Sequence, residues 1–143
     1  MSYLILSFFS VFLLFSSGVL QPDNANDAGR YQTDTQQQQA AATLRYMNAI
    51  NSYLYAHPMA DGTFSDSLLE SAPPSGVRHV IRQGRVFVYQ PSQPGLKDAL
   101  VTLSRHSALL GSVKSRRLID LSGTDMQIAV PDLIPDGYLV YLN

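Results

Sequence analysis

The chain has 143 residues and a formal net charge of −1, from ten basic and eleven acidic side chains. When an apolar N-terminal segment and a polar connection are set aside, about 105 residues remain, which is enough for one hydrophobic core. Cysteine is absent, and this excludes disulfide bonds and thiolate metal sites. Stability must therefore come from packing.

The charge is distributed unevenly along the chain. Residues 78–117 carry eight of the ten basic side chains and a single acid, Asp98, whereas the segments on both sides are acidic. Basic and acidic elements that lie side by side in the fold would account for this pattern. A nucleic-acid site usually has clustered lysines or interleaved aromatic residues, and the chain has only two lysines. We therefore predict no nucleic-acid partner.

Residues 3–20 form the most apolar segment. Thirteen of the eighteen are apolar or aromatic, four are serine, one is glycine and none is charged. A helix of this length reaches about 27 Å, close to the roughly 30 Å of a bilayer core. Asp23 and Asp27 follow the segment, which favours export of the remaining chain. The pattern predicts a single-pass membrane anchor and an exported C-terminal domain.

A cleaved secretory signal is the alternative interpretation of the same segment. Ser16, Ser17 and Gly18 offer a weak cleavage site, but the basic region that usually opens a signal peptide is missing. Cleavage would release a periplasmic domain. In that alternative, the domain would be an enzyme acting on peptidoglycan or peptides.

The next segments predict a polar linker and then a helix. Residues 21–39 are rich in Asn, Asp, Gln and Thr and lack the apolar surface that offsets the entropy of ordering. Residues 34–56 show helical spacing, and Pro58 forces the helix to stop before it. The apolar stripe of this helix consists of Ala40, Leu44, Met47, Ile50 and Leu54. The predicted domains are an anchor (1–20), a linker (21–39) and an exported α+β domain (40–143).

Strand signals follow a long loop at residues 59–76. Residues 77–82 and 85–89 are rich in β-branched and aromatic side chains and flank Gln83-Gly84, which predicts a hairpin. Residues 96–110 predict a second amphipathic helix. Three further strand runs occupy residues 116–121, 126–130 and 138–142.

This order predicts an α+β fold, in which an antiparallel sheet carries two helices on one face. The arrangement αββαββ is that of a permuted ferredoxin-like domain. Both helices must bury an apolar stripe against the sheet, so we expect one shared core. Its predicted members are Leu44, Ile50, Leu54, Val86, Val88, Leu100, Leu103, Ile119 and Leu139.

Few residues have the type and spacing of a catalytic or metal-binding site. His57, His79 and His106 show no metal-ligand spacing, and Glu70 is the single glutamate. The aspartates mostly lie beside glycine or proline, where local hydrogen bonding in turns explains them. We therefore predict no catalytic residue, no metal site and no cofactor, and expect a protein that holds other proteins.

Four stretches carry a resemblance to a known family: residues 1–6, residues 44–51, the hairpin segment 84–89 and the ending 138–142. Together they resemble the small PilM proteins of the thin pili of conjugative plasmids, and the likeness covers nearly the whole chain. The resemblance implies an inner-membrane component of a bacterial type IV pilus assembly apparatus that serves conjugation. Together with the anchor, it predicts a single-pass protein of the bacterial inner membrane with a periplasmic C-terminal domain and no enzymatic activity.

The implied partners are other pilus-assembly proteins, with the membrane contacted through residues 3–20 and a second copy of the chain as a further candidate. The basic segment is expected to form one docking face. Arg116 and Arg117 are the candidate partner-binding residues. Replacing both by serine should weaken pilus assembly without unfolding the domain, because exposed charges contribute little to stability.

Overall fold

The computed structural model describes residues 24–143, with only the backbone for residues 24–29, 31 and 32. Residues 33–143 form one compact unit. The elements in chain order are α1 (Asn24–Ala56), a 3-10 turn (Asp66–Leu68), β1 (Arg78–Arg82), β2 (Arg85–Gln90), α2 (Leu96–Leu103), β3 (Leu110–Lys114), β4 (Arg117–Asp120), β5 (Asp125–Ala129) and β6 (Leu139–Leu142).

Helix α1 begins at Asn24, well before the predicted start at residue 34. Much of its polar glutamine run is helical because glutamine side chains find partners across the fold. The Gln39 amide donates to the Gln90 side-chain oxygen at 3.0 Å, and the Gln36 amide donates to that of Gln93 at 3.2 Å. The helix ends at Ala56, which confirms the stop predicted before Pro58.

The six strands form one antiparallel sheet in the order β1-β2-β6-β3-β4-β5. The β1–β2 hairpin is confirmed, with Arg82 opposite Arg85 around a two-residue turn. Gln83 and Gly84 in that turn have φ of 52° and 73°. Positive φ at both positions belongs to the type I′ turn, whose twist matches the twist of the strands.

Both faces of the sheet are covered. On one face, β2 places Val86 and Val88 against the α1 residues Tyr46, Met47 and Ile50. Leu96, Ala99 and Leu100 of α2 pack on the same face against Leu110 and Leu139.

The opposite face holds a separate cluster. It contains Val80 of β1 and Phe87 of β2, and also Val130 and Ile134, which follow β5. Because β1 and β5 are the two edge strands, a shared cluster requires the sheet to curl toward this side. The cluster also explains why β2 is buried along almost its whole length.

The predicted ferredoxin-like αββαββ arrangement is wrong. Four strands follow α2, and the last strand, β6, lies between β2 and β3. The predicted order omits β3, because Leu110–Lys114 contains Gly111, Ser112 and Lys114 and has no run of β-branched or aromatic residues. The second helix is also shorter than the predicted 96–110. In the structure α2 ends at Leu103, where Arg105 and His106 adopt left-handed backbone with φ of 55° and 58°. Their N–H groups bond to the carbonyls of Thr102 and Val101, a Schellman termination.

The prediction of a single shared core is also wrong in part. Leu103 is 42% exposed, because it lies in the last turn of the shorter helix, whereas Leu100 is 1% exposed. Ile50, Val86 and Val88 lie in one cluster, and Leu100 and Leu139 in another on the same face.

The predicted membrane anchor at residues 3–20 lies outside the described residues. Within residues 24–143, no helix is both long enough and apolar enough to cross a membrane. The 33-residue α1 has the length, but it carries charges such as Asp34 and Arg45 and a run of glutamines. This finding contradicts the prediction of an N-terminal transmembrane helix. It also contradicts the predicted single-pass inner-membrane location with a periplasmic domain.

Candidate functional site

Three polar side chains meet beneath the loop that connects α1 to β1. The Tyr46 hydroxyl lies 2.5 Å from Asp66 Oδ1 and 2.6 Å from His79 Nδ1. Tyr46 projects from the buried face of α1, His79 from the helix-facing side of β1, and Asp66 begins the 3-10 turn. Tyr46 is 0% and His79 6% exposed. The network therefore joins three separate elements.

One protonation pattern satisfies every member of the network. Tyr46 donates to the Asp66 carboxylate, neutral His79 donates from Nδ1 to the Tyr46 oxygen, and the Phe64 N–H points at His79 Nε2 at 3.5 Å. The tautomer is assigned from these partners. Burial lowers the pKa of His79 and outweighs the opposing field of Asp66. Burial, with the hydrogen bond to Asp66 as the next cause, raises the pKa of Tyr46.

Aromatic rings continue from this network to the surface. The Phe64 ring centroid lies 4.4 Å from that of His79 and 4.4 Å from that of Tyr53. Tyr53 in turn stacks on His57 at 4.4 Å. The row covers His79 and fixes the loop against α1.

A groove of about 540 Å³ runs between α1 and the residues that follow the 3-10 turn. Arg45, Asn48, Ala49 and Ser52 form the α1 wall together with Tyr53, and residues 68–71 form the other wall. Leu68 is 56% exposed at its rim. The Leu69 N–H bonds to the Asp66 carbonyl at 3.1 Å, so the Tyr46 network holds this wall in place. Arg45 and Glu70 place opposite charges on the two walls.

The predicted partner-binding residues lie elsewhere. Arg116, in the β3–β4 turn, forms an ion pair with Asp132, and Arg117, at the start of β4, lies 3.7 Å from Asp125. Both arginines are exposed, but each charge is offset by a carboxylate within the fold. Their role in partner binding stays a prediction.

The other polar residues considered in the sequence do not converge on one site. Glu70 lines the groove, His57 and His106 are exposed, and His79 is buried. Among residues 24–143, no three His, Asp or Glu side chains are placed to hold a metal ion. The groove and the Tyr46 network are thus the features that the tertiary structure adds.

Comparison with known proteins identifies the family. The PilM family model matches residues 10–142. The chain belongs to the PilM family. A crystal structure of a protein assigned as PilM from Escherichia coli B7A matches this PilM-family chain with 43% sequence identity and a TM-score of 0.67. The match covers 78% of this chain and 94% of that one. No curated protein matches.

Family membership confirms the resemblance and makes this a pilus-related protein. The groove of this PilM-family chain was not predicted from sequence. The residues of its α1 wall, at positions 45, 48, 49 and 52, follow helical spacing. Because this mostly polar stripe is equally typical of a solvated helix face, it did not indicate a groove. The available signal was the long loop at residues 59–76, since such loops are often functional.

Proposed function

We propose that this chain is a non-enzymatic component of the type IV (thin) pilus assembly apparatus of a bacterial conjugation system. In this role it docks another pilus-assembly protein in the groove between α1 and residues 68–71. PilM-family membership supports the pilus context. The groove is the observation that carries the docking role, because its walls combine apolar contact surface with charges of both signs.

The groove walls define the chemistry of the segment that fits them. Exposed Leu68 and the ring of Tyr53 offer apolar surface, and a partner side chain that covers them would be removed from water. Arg45 and Glu70 would pair with charges on either side of that anchor. A buried apolar centre with a polar rim is the usual anatomy of a protein interface.

A groove-filling substitution tests this function. Ser52→Trp places a large ring in the groove from an exposed position of α1, and Gln38→Trp makes the same kind of change about 10 Å before Arg45 along the helix. We expect Ser52→Trp to reduce thin-pilus number and conjugation frequency by at least about tenfold, while Gln38→Trp complements a deletion strain normally. Thermal unfolding of both purified proteins verifies that each is folded.

Cross-linking identifies the occupant of the groove. A photo-reactive side chain introduced at position 48 should capture a specific pilus-assembly protein, identified by mass spectrometry. Capture of a second copy of this chain would instead make the groove a self-association site. Normal piliation by folded Ser52→Trp protein would refute the docking role. Loss of piliation in Glu70→Gln with capture intact would favour the enzymatic alternative.

A further inference from the structure

The β1–β2 hairpin carries three arginines on one side of the sheet. Side chains alternate along β1, so Arg78 and Arg82 lie on the same side as Val80, which is buried in the cluster opposite the helices. Arg85 is directly opposite Arg82 in the register and shares that side. All three arginines are exposed. We name Arg78, Arg82 and Arg85 the arginine surface.

The fold does not neutralise the arginine surface within the described residues. The three ion pairs found there all involve other cations. Asp61 lies beside the hairpin turn, but its carboxylate accepts a hydrogen bond from the Gln83 N–H at 2.9 Å. Arg116 and Arg117, in contrast, each face a carboxylate. Among the described residues, the arginine surface therefore has three cations that form no ion pair, with the Asp61 carboxylate beside the turn.

The hairpin itself does not require these charges. Its turn is specified by positive φ at Gln83 and Gly84, and like charges directly opposite one another, as at Arg82 and Arg85, destabilise a strand pair. An anionic ligand would remove that repulsion. Charged side chains on the edge strand β1 protect it from unwanted pairing, but Arg85 lies on the inner strand β2, so edge protection does not account for the whole arginine surface.

We propose that the arginine surface binds an acidic segment of another protein in an extended conformation. Arg78 and Arg82 are four positions apart along the strand, or about 13 Å. Because side chains alternate in an extended segment, it matches this span when one acid faces the Arg82–Arg85 pair and a second acid, four positions along on the same side, faces Arg78. This site is separate from the groove and goes beyond the function proposed there.

Two observations favour a protein segment over other polyanions. Surfaces that bind single-stranded nucleic acid add exposed aromatic rings for stacking, whereas Phe87 and Tyr89 on this side are only 3% and 8% exposed. Recognition of anionic lipid typically uses about four to eight clustered cations, and the arginine surface has three. A short row of cations suits a short extended peptide.

Fluorescence anisotropy with a defined peptide tests the proposal. The probe is a labelled nine-residue peptide with two glutamates four positions apart, in a Gly/Ser/Thr background, so that both face the same side when the peptide is extended. The control peptide has glutamine at those two positions. We expect saturable binding of the glutamate peptide in 50 mM NaCl, a large loss of affinity in 300 mM NaCl, and no binding of the control peptide.

Matched protein variants locate the binding surface. Arg82→Gln with Arg85→Gln should weaken binding at least about tenfold. Lys97→Gln with Arg105→Gln removes the same charge from exposed positions on and just after α2 and should change binding by less than about twofold. The Ser52→Trp protein should bind the peptide normally, so this test is independent of the groove.

Three outcomes would overturn the proposal. The first is the absence of peptide binding by the unmodified protein. The second is an equal loss in both charge variants, which would indicate attraction by net charge alone. The third is binding to vesicles containing 30% phosphatidylglycerol or to duplex DNA that depends on Arg82 and Arg85 and exceeds peptide binding.

Discussion

Replacing Tyr46 by Phe removes one buried hydroxyl and keeps the ring. The hydroxyl bonds to Asp66 at 2.5 Å and to His79 at 2.6 Å, and Tyr46 is fully buried. The variant leaves the Nδ1–H of His79, whose side chain is only 4% exposed, without its partner. The Asp66 side chain is 43% exposed, so water can replace its lost bond.

The expected loss of stability follows from this difference in exposure between the His79 and Asp66 side chains. An unpaired buried donor costs about 1–3 kcal/mol, and a hydrogen bond to a charged group contributes about 1.5–3 kcal/mol. Allowing for hydration of Asp66, we expect a loss of about 2–4 kcal/mol in the free energy of unfolding. This is a large part of the roughly 5–15 kcal/mol of a typical domain. At about 4 °C per kcal/mol, Tm should fall by roughly 8–16 °C.

Urea and thermal unfolding at pH 7 measure the effect, with Tyr55→Phe as the matched control. Tyr55 lies on the same helix and is 92% exposed, so its change should stay within about 0.5 kcal/mol. The Tyr46→Phe/Asp66→Ala double variant should lose less than the sum of the single losses, because both remove the same bond. If Tyr46→Phe unfolds like Tyr55→Phe, the network does not stabilise the loop.

Two further predictions concern α2 and His79. Leu100→Ala should lower the free energy of unfolding by about 2–5 kcal/mol. Leu103→Ala, at a 42% exposed position, should lower it by less than about 1 kcal/mol. Equal losses of the two variants in urea unfolding would contradict the observed helix end. Because the pKa of His79 is lowered below 6.5, the unfolded chain binds the proton first, so stability should fall as pH drops from 6.5 through the folded pKa. His79→Gln should flatten the pH dependence of the free energy of unfolding, and the control His106→Gln should retain it. An unchanged pH dependence in His79→Gln would show that another group titrates.

Local elements were predictable where neighbouring residues decide the backbone conformation. Pro58 excludes helical continuation from His57, and α1 ends at Ala56. The Gln83-Gly84 turn between β-branched runs predicted the hairpin, because a type I′ turn needs positive φ at both central positions. The end of α2 was missed because Arg105 occupies the left-handed position where glycine is usual.

The candidate site depends on contacts between distant parts of the chain. Tyr46 meets Asp66 and His79 from 20 and 33 residues away, and nothing in the spacing of a tyrosine, an aspartate and a histidine predicts that meeting. The groove likewise lies between α1 and residues 68–71, which are separated in the sequence and brought together by the fold.

The sequence by itself determined the family, the hairpin and the point where α1 stops, since these depend on residue identity and short-range backbone preference. The tertiary structure decided the strand order, in which Phe87 pairs with Leu142 across the middle of the sheet. It also decided that Leu96 and Leu100 of α2 are buried and Leu103 is exposed, and which arginines of the described chain form ion pairs. Apolar burial is not directional, so an apolar pattern marks residues that prefer the interior without specifying which distant residue each will contact.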